Sequence, residues 1–485
     1  MRKKILFFLL SVGVMSFVTS CDENLADLNV DPKQPTEVPA EVLFTYGQFN
    51  LVKQLTNADY NHNVDLFWSN FLTQTTYIQE ASYDAANRDV GGSIWDNIYT
   101  ECLFELADAK RILRAEEATP ATEPIINNQL AMIKVLEVYA YQYLVDNFGP
   151  VPFREALDIN NVVPAYDDAD FIYAAITDSL QNAISMLDAG AAGFSSSADI
   201  LYGGDIEKWQ KFANSLLLKI GIRLADVDAT TASALINDAV NGGVFESNDD
   251  NAVFQFLDSQ PYVNPIWDYF VYDNRASDFV ATQFFLDILE DRNDPRIAAY
   301  FDDNEVPYVG GVYGGVGNAY NSLTHVNTAI TNDATFPGTL LDYSFVAFTL
   351  AEAVERSFIA GDAAAYYEAG IRASFESWGL SETDADNYLA EASVDYSTAP
   401  GDFKQKIGMQ KYIALFNQGH EAWTEARRLN TPELLPAASN SRPNPRRMIY
   451  PTTEKLINSA NYSAALAAFG GNDDTAGRIF WDVDN

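Results

Sequence analysis

Histidine and cysteine are nearly missing from this chain: 485 residues include three of the first (His62, His325, His420) and two of the second (Cys21, Cys102). Three scattered histidines do not make a zinc site. Two cysteines rule out a disulfide framework, which a chain of this length does not need to build a core. Cys102 stands among apolar residues with Leu103 and Leu106, the setting of a buried, inert thiol. Positive charge is scarce too, with 30 Lys and Arg against 68 Asp and Glu and a net charge of −38. That balance disfavours nucleic acid, anionic lipid surfaces and polyanionic ligands as partners. Long apolar runs are also missing. The longest beyond the N-terminus, near residues 345–360, is broken by Glu352, Glu355 and Arg356, whereas a membrane span takes about 20 apolar residues.

Catalytic signatures are absent as well. His420-Glu421 begins like a zinc-protease helix, but Thr424 occupies the place of the second histidine. Gly91-Gly92-Ser93-Ile94-Trp95 lacks the last glycine of a nucleophile elbow. The glycines of residues 310–317 fit neither a dinucleotide fingerprint nor a P-loop, and Asn248-Asp249-Asp250-Asn251 lacks EF-hand spacing, which leaves structural calcium open. Among 68 acids, pairs suited to a glycosidase arise by chance and carry no information. The sequence thus gives no catalytic residue, no metal site and no cofactor.

What is present begins at the N-terminus. Arg2, Lys3 and Lys4 precede an apolar stretch from Ile5 to Val18, the layout of an export signal over residues 1–20. Val18-Thr19-Ser20-Cys21 resembles a bacterial lipoprotein processing site, in which the Cys21 thiolate takes a thioether-linked diacylglycerol. The alternative is an ordinary secretory signal with a chance cysteine. Removing residues 1–20 takes away three positive charges and no negative ones, so −38 becomes −41. Acyl chains, palmitate among them, bind a bilayer at about 0.8 kcal/mol per buried methylene, enough for anchoring at one end. Residues 21–39 hold the lipidated cysteine and an extended tether with Pro32, Pro35 and Pro39, and residues 40–485 form a single domain. Asp22-Glu23 after the cysteine resembles the surface-export signal of Bacteroidetes lipoproteins.

The remainder reads as all-α, mainly helical. Trp209, Phe212, Ala213, Leu216, Ile220 and Leu224 form one apolar stripe, with Asp205 as its N-cap. Residues 129–147 are apolar on nearly every side and stop at Gly149-Pro150, which predicts a central helix. Further helices are expected near 38–57, 94–114, 168–187, 230–241, 277–289, 343–360, 362–378 and 404–429. The pair 343–360 and 362–378 looks like one tetratricopeptide-type hairpin, without a strict 34-residue period elsewhere. Residues 247–275, with strand-like alternation at Val253, Phe254 and Phe256, and 307–337 read as long, non-helical loops.

A set of segments in order carries a family resemblance across nearly the whole mature chain. They are Leu28-Asn29-Val30-Asp31-Pro32 with Pro35-Thr36; Trp95 with Tyr99; Asp146-Asn147-Phe148-Gly149-Pro150-Val151-Pro152-Phe153; and Lys208-Trp209-Gln210-Lys211-Phe212-Ala213-Asn214-Ser215-Leu216. Asp294-Pro295-Arg296 and Ala351-Glu352-Ala353 follow. Then come Gln410-Lys411-Tyr412-Ile413-Ala414-Leu415-Phe416 running on to Glu421-Ala422-Trp423, Glu425 and Arg427-Arg428, and finally Arg446-Arg447, Tyr450-Pro451 and Glu454. The chain resembles the SusD/RagB family, in its SusD-like second branch. The resemblance implies about four irregular tetratricopeptide-like hairpins with long loops forming a ligand face. It implies a cell-surface, outer-membrane lipoprotein that captures glycans or other oligomers for a TonB-dependent, SusC-like barrel. A surface adaptor or peptide-binding helical protein, and a surface hydrolase, are the other classes to set against it. Most matching residues read as structural: Trp209 and Phe212 as core, Arg427 and Arg428 as partners of carboxylates.

Glycan capture needs aromatic faces for sugar rings and amides, carboxylates or guanidinium groups for hydroxyls. The chain is 13% aromatic, and two loops have that composition. Residues 78–89 hold Tyr83, Asn87 and Arg88, with Tyr77 just before. Residues 260–275 hold Tyr262, Asn264, Trp267, Tyr269, Tyr272 and Asn274, with Trp267 as the chief platform. A third set is Tyr308, Tyr313 and Tyr320. The same rings could instead pack the loops onto the body. At the membrane end, Cys21→Ser is expected to abolish palmitate labelling and move the protein to the soluble fraction. A variant that still took up label would place the anchor elsewhere.

Overall fold

The computed structural model describes residues 38–302 and 307–483, so Cys21, Asp22-Glu23 and most of the tether lie outside the described residues. Ten helices form the body. They are α1 (Ala40–Thr56); α2, a continuous helix made of Val90–Asp96, a π-helical turn at Asn97–Leu103, and Phe104–Ala115; α3 (Glu123–Phe148) and α4 (Ala169–Met186); α5 (Ile206–Arg223) and α6 (Ala229–Gly242); α7 (Tyr343–Glu355) and α8 (Ala363–Ser377); α9 (Phe403–Ala414) and α10 (Gly419–Leu429). They pack in the pairs α1/α2, α3/α4, α5/α6 and α7/α8, with α9/α10 as a shorter fifth pair.

The acidic composition starts several of these helices. Asp205, Asp228, Asp342, Asp362 and Asp402 each accept a backbone N–H at the N-cap of α5, α6, α7, α8 and α9, where the carboxylate also meets the positive end of the helix dipole. The central helix α3 begins with a proline in its first turn and ends at Gly149 (φ 83°), as its sequence predicts. In the α7/α8 hairpin, a Cβ on Gly370 would lie 2.9 Å from the Phe348 ring, so the missing side chain is what lets the two helices approach. Phe348, Tyr367, Ile371, Phe375 and Ile407 close the core there. Trp209 and Phe212 are fully buried, and so is Cys102, whose thiol burial pushes far up.

Three expectations need correction. Residues 404–429 are not one helix: Leu415–Gln418 break it, with Asn417 in the left-handed region (φ 70°), a conformation asparagine tolerates better than most residues. The segment 277–289 begins as a short strand (Phe279–Ala281) and turns helical only at Gln283–Glu290. Arg427, expected opposite a carboxylate, instead donates to the carbonyls of Asp146 (3.2 Å) and Arg446 (2.5 Å), with its guanidinium 3.5 Å from the Trp423 ring centroid. The short helices Glu382–Leu389, Thr452–Ile457 and Ser459–Ala465 were not anticipated.

Arg428 does pair, within a buried ionic knot where α3, α5, α7, α9 and α10 meet. Arg428 holds Glu352 in a bidentate pair (2.7 and 2.6 Å) and reaches Glu425 (2.6 Å). Glu425 also takes Lys411 (2.8 Å) and Arg223. Arg223 joins Glu421 (2.8 Å) and lies 3.5 Å from Asp146, and Lys219 binds Glu421. The four cations and four anions balance, and all eight side chains are at most 6% exposed. Burial alone raises the Glu421 carboxyl, but Lys219 and Arg223 overcome it and hold it at about 2. A depressed carboxylate stabilises the fold fully above its ordinary value of 4.5, and that stability is lost as pH falls toward about 2. Glu421→Gln is therefore expected to cost roughly 3–5 kcal/mol at pH 7, by leaving buried cations short of an anion. It should also flatten the acid limb of stability between those pH values. Thermal melts of both proteins from pH 7 to pH 2 check this, and matching curves would show that the knot does not carry the fold.

Candidate functional site

The loops singled out by composition hang from one short antiparallel ribbon, β1 (Leu72–Gln74) paired with β2 (Phe279–Ala281) in the register Leu72↔Ala281, Thr73↔Val280, Gln74↔Phe279. Loop 75–89 leaves β1, and its Thr75 donates from backbone and hydroxyl to Asp278 and Ser277 (2.9 and 2.6 Å), at the end of loop 260–278. The glycine-rich loop joins the same ribbon, Gly311 donating to the Ala281 carbonyl (2.8 Å) and Asn318 to that of Gln74 (3.1 Å). A Cβ on Gly310 would fall 2.2 Å from the Gln283 backbone nitrogen, so only glycine fits this approach. A ribbon of six residues thereby gathers three loops that lie far apart in sequence.

Tyr60 holds the first two loops together. Its ring is buried, with the Arg88 guanidinium 4.7 Å from its centroid and Tyr269 edge-on at 5.8 Å. Its hydroxyl accepts from Arg275 (2.6 Å), which is in turn paired with Asp278 (2.5 Å). Arg88 is fixed from below by Glu80 (2.7 Å) and Asn61 (3.1 Å), and also lies 5.8 Å from the Tyr77 ring. Burial raises the Glu80 carboxyl, while Gln74 and Arg88 draw it back.

The eight candidates therefore divide by what their atoms already touch. Tyr77 and Tyr272 turn 56% and 66% of their surface to solvent. Trp267 is half-buried, with its ring 6.4 Å from Tyr272 at an interplanar angle of 33°. Tyr262 is exposed too, but packs edge-on to Phe49 (5.1 Å) and lines an apolar pocket of about 540 Å³ whose walls include neither Trp267 nor Tyr272. Arg88 is half-buried and braced as described. The other three are struts. Tyr83 donates to Asn444 (2.7 Å) and accepts from the Ala437 N–H (2.9 Å). Asn264 caps the turn before Trp267 and donates to the Phe336 carbonyl (2.7 Å). Tyr269 stacks on Phe279 (5.5 Å) and donates to Asp278. Of the third set, Tyr313 is buried beside Tyr83, and Tyr320 stacks on His325 at 3.8 Å.

Tyr60, Asn61 and Arg275 were missed by sequence reasoning. The signal for the first two was there: an aromatic among Asn57, Asp59, Asn61 and Asn63 directly after α1. The assembled surface offers flat rings, a fixed guanidinium and amides. That equipment suits the holding of a ligand with apolar faces and many hydroxyls. Among the described residues, no group of three or more His, Cys, Asp or Glu could hold a metal ion, and no helix is long and apolar enough to cross a membrane.

Solved structures share this fold. A chitin-binding protein has 27% identity and a TM-score of 0.79, covering 92% of this chain and 100% of its own. A chitin-binding SusD homolog from Flavobacterium johnsoniae has 26% identity and a TM-score of 0.78, covering 92% and 99%. A SusD homolog from Bacteroides uniformis has 26% identity and a TM-score of 0.77, covering 91% and 99%. No curated protein matches the sequence. A family model described as "Starch-binding associating with outer membrane" matches residues 32–451, and by that span the chain belongs to the SusD-like family.

Proposed function

We propose that this protein is a surface-exposed, lipid-anchored protein of the bacterial outer membrane that binds glycans or other oligomeric nutrients and catalyses nothing. It delivers them to a TonB-dependent, SusC-like barrel. Residues 1–20 are its export signal, Cys21 its lipid attachment and residues 21–39 its tether to the helical domain. The observation that carries the binding role is the neighbouring pair of half-buried Trp267 and exposed Tyr272, 6.4 Å apart and tilted by 33°, on loops of the same ribbon as exposed Tyr77 and its guanidinium neighbour Arg88. Rings left in water cost hydrophobic free energy, and such rings offer flat area on which the apolar face of a sugar can stack. The description of the family and the chitin-binding relatives favour a neutral oligosaccharide, as does a chain too acidic for polyanions.

Calorimetry on the soluble fragment from Asp22, with malto- and chito-oligosaccharides, tests the binding role. Trp267→Ala is expected to weaken binding by roughly tenfold, from the loss of one stacking platform, with little change in melting temperature. Tyr269→Ala, by contrast, should lower the melting temperature because that ring is core. A Trp267→Ala protein that lost stability and affinity together would make Trp267 another strut. Co-purification with a barrel in detergent tests delivery.

A further inference from the structure

A cavity of about 660 Å³ opens between α7, α8 and the break that separates α9 from α10. It lies apart from the exposed rings of the ribbon loops, none of which lines it. Its apolar surface comes from Trp378, half-buried at the end of α8, with Phe336 at 6.3 Å and 34° and Phe416 at 6.0 Å. Trp378 packs edge-on against Tyr300 (4.8 Å), which braces one side of the indole.

The polar part of the lining is one-sided in charge. Two carboxylates, Asp333 and Asp342, face it together with the amides of Asn417 and Gln418, and no Lys or Arg does. Asp342 is held in place by the Phe345 N–H (2.7 Å) and the Gln418 amide (2.7 Å). Each carboxylate oxygen keeps lone-pair capacity beyond one bond, so the group can accept from a ligand without leaving its post. Gln418 and Asn417 owe their positions to the helix break: an unbroken α9–α10 helix would carry them away from this wall.

That lining discriminates among ligand classes. An anion would meet two carboxylates and no cation. A purely apolar molecule would strand the carboxylates and amides. A sugar ring satisfies both parts, its hydroxyls donating to the carboxylates and its C–H face lying on Trp378. We infer that this cavity is a second carbohydrate site, one that takes a neutral mono- or disaccharide unit, built on Trp378, Asp333, Asp342 and the Asn417–Gln418 wall. The ligand class is that of the proposed function, but the site uses none of the exposed rings Tyr77, Trp267 and Tyr272.

Chitobiose and maltose serve as probes by calorimetry on the fragment from Asp22, with a uronic-acid disaccharide as the anionic control. In a Trp267→Ala/Tyr272→Ala background, binding of at least one neutral disaccharide should persist and the anionic one should not bind. Ala329→Trp fills the cavity from an exposed rim position and should abolish that residual binding. Trp378→Ala should weaken it by roughly tenfold. Because Trp378 also packs on Tyr300, melting curves accompany that variant, and Ala329→Trp decides the matter if Trp378→Ala unfolds. Residual binding unmoved by Ala329→Trp would overturn the second site. So would its complete loss in the Trp267→Ala/Tyr272→Ala protein, which leaves the ribbon-loop reading standing. Binding abolished by Ala329→Trp alone, and indifferent to Trp267 and Tyr272, would keep this site and remove the other.

Discussion

Eight ions withdrawn from water where five helices meet are the constraint that the rest of the molecule accommodates. Each would cost several kcal/mol to bury alone, and the cost is offset only while every partner stays at hydrogen-bond distance. Arg428 gripping Glu352 with both guanidinium nitrogens fixes α10 against α7, and Lys219 and Arg223 fix α5 against α10. A hydrophobic contact tolerates sliding by a fraction of a turn, whereas these bonds do not. The helices are thereby positioned by charge, and apolar packing such as Phe348 against Gly370 fills in around them.

The surface obeys a different economy of interactions. Five of the 68 acidic residues cap helix N-termini, and those left on the surface give the domain a strongly negative field. The loops escape the rigidity of the knot because they are attached through a ribbon only a few residues long. Tyr60 and Arg275 tie them sideways rather than down, which leaves Tyr77 and Tyr272 standing clear of the body.

Much of the helical body was legible in the sequence. The stripe from Trp209 to Leu224, the Asp205 cap and the Gly149 stop each rest on local rules, and each held. The break at Asn417 was not legible, because the residues on both sides keep helical spacing and only tertiary packing forces the left-handed turn. The burial of the charged residues of α10 was not legible: nothing in the spacing of Glu421, Glu425 and Arg428 places them inside, yet all are buried. The expectation that Arg428 pairs with carboxylates holds, and the fold supplies the partners, Glu352 and Glu425. At the candidate site, composition picked out loops that the fold gathers on one ribbon but could not sort their members. Tyr269 and Tyr272 are three residues apart and chemically identical, and only the fold decides that one stacks on Phe279 while the other faces water.

The balance of the knot also shapes how such a chain can change through time. Replacing any one of its members passes through an intermediate with an orphaned charge in a dry interior, which takes away a large part of a domain's ordinary stability. Two or three coordinated replacements could reach an apolar core of equal merit, but no single step leads there. The interior thus behaves as a ratchet. Single changes there are costly, while the exposed rings Tyr77 and Tyr272 can be exchanged at little cost to the fold.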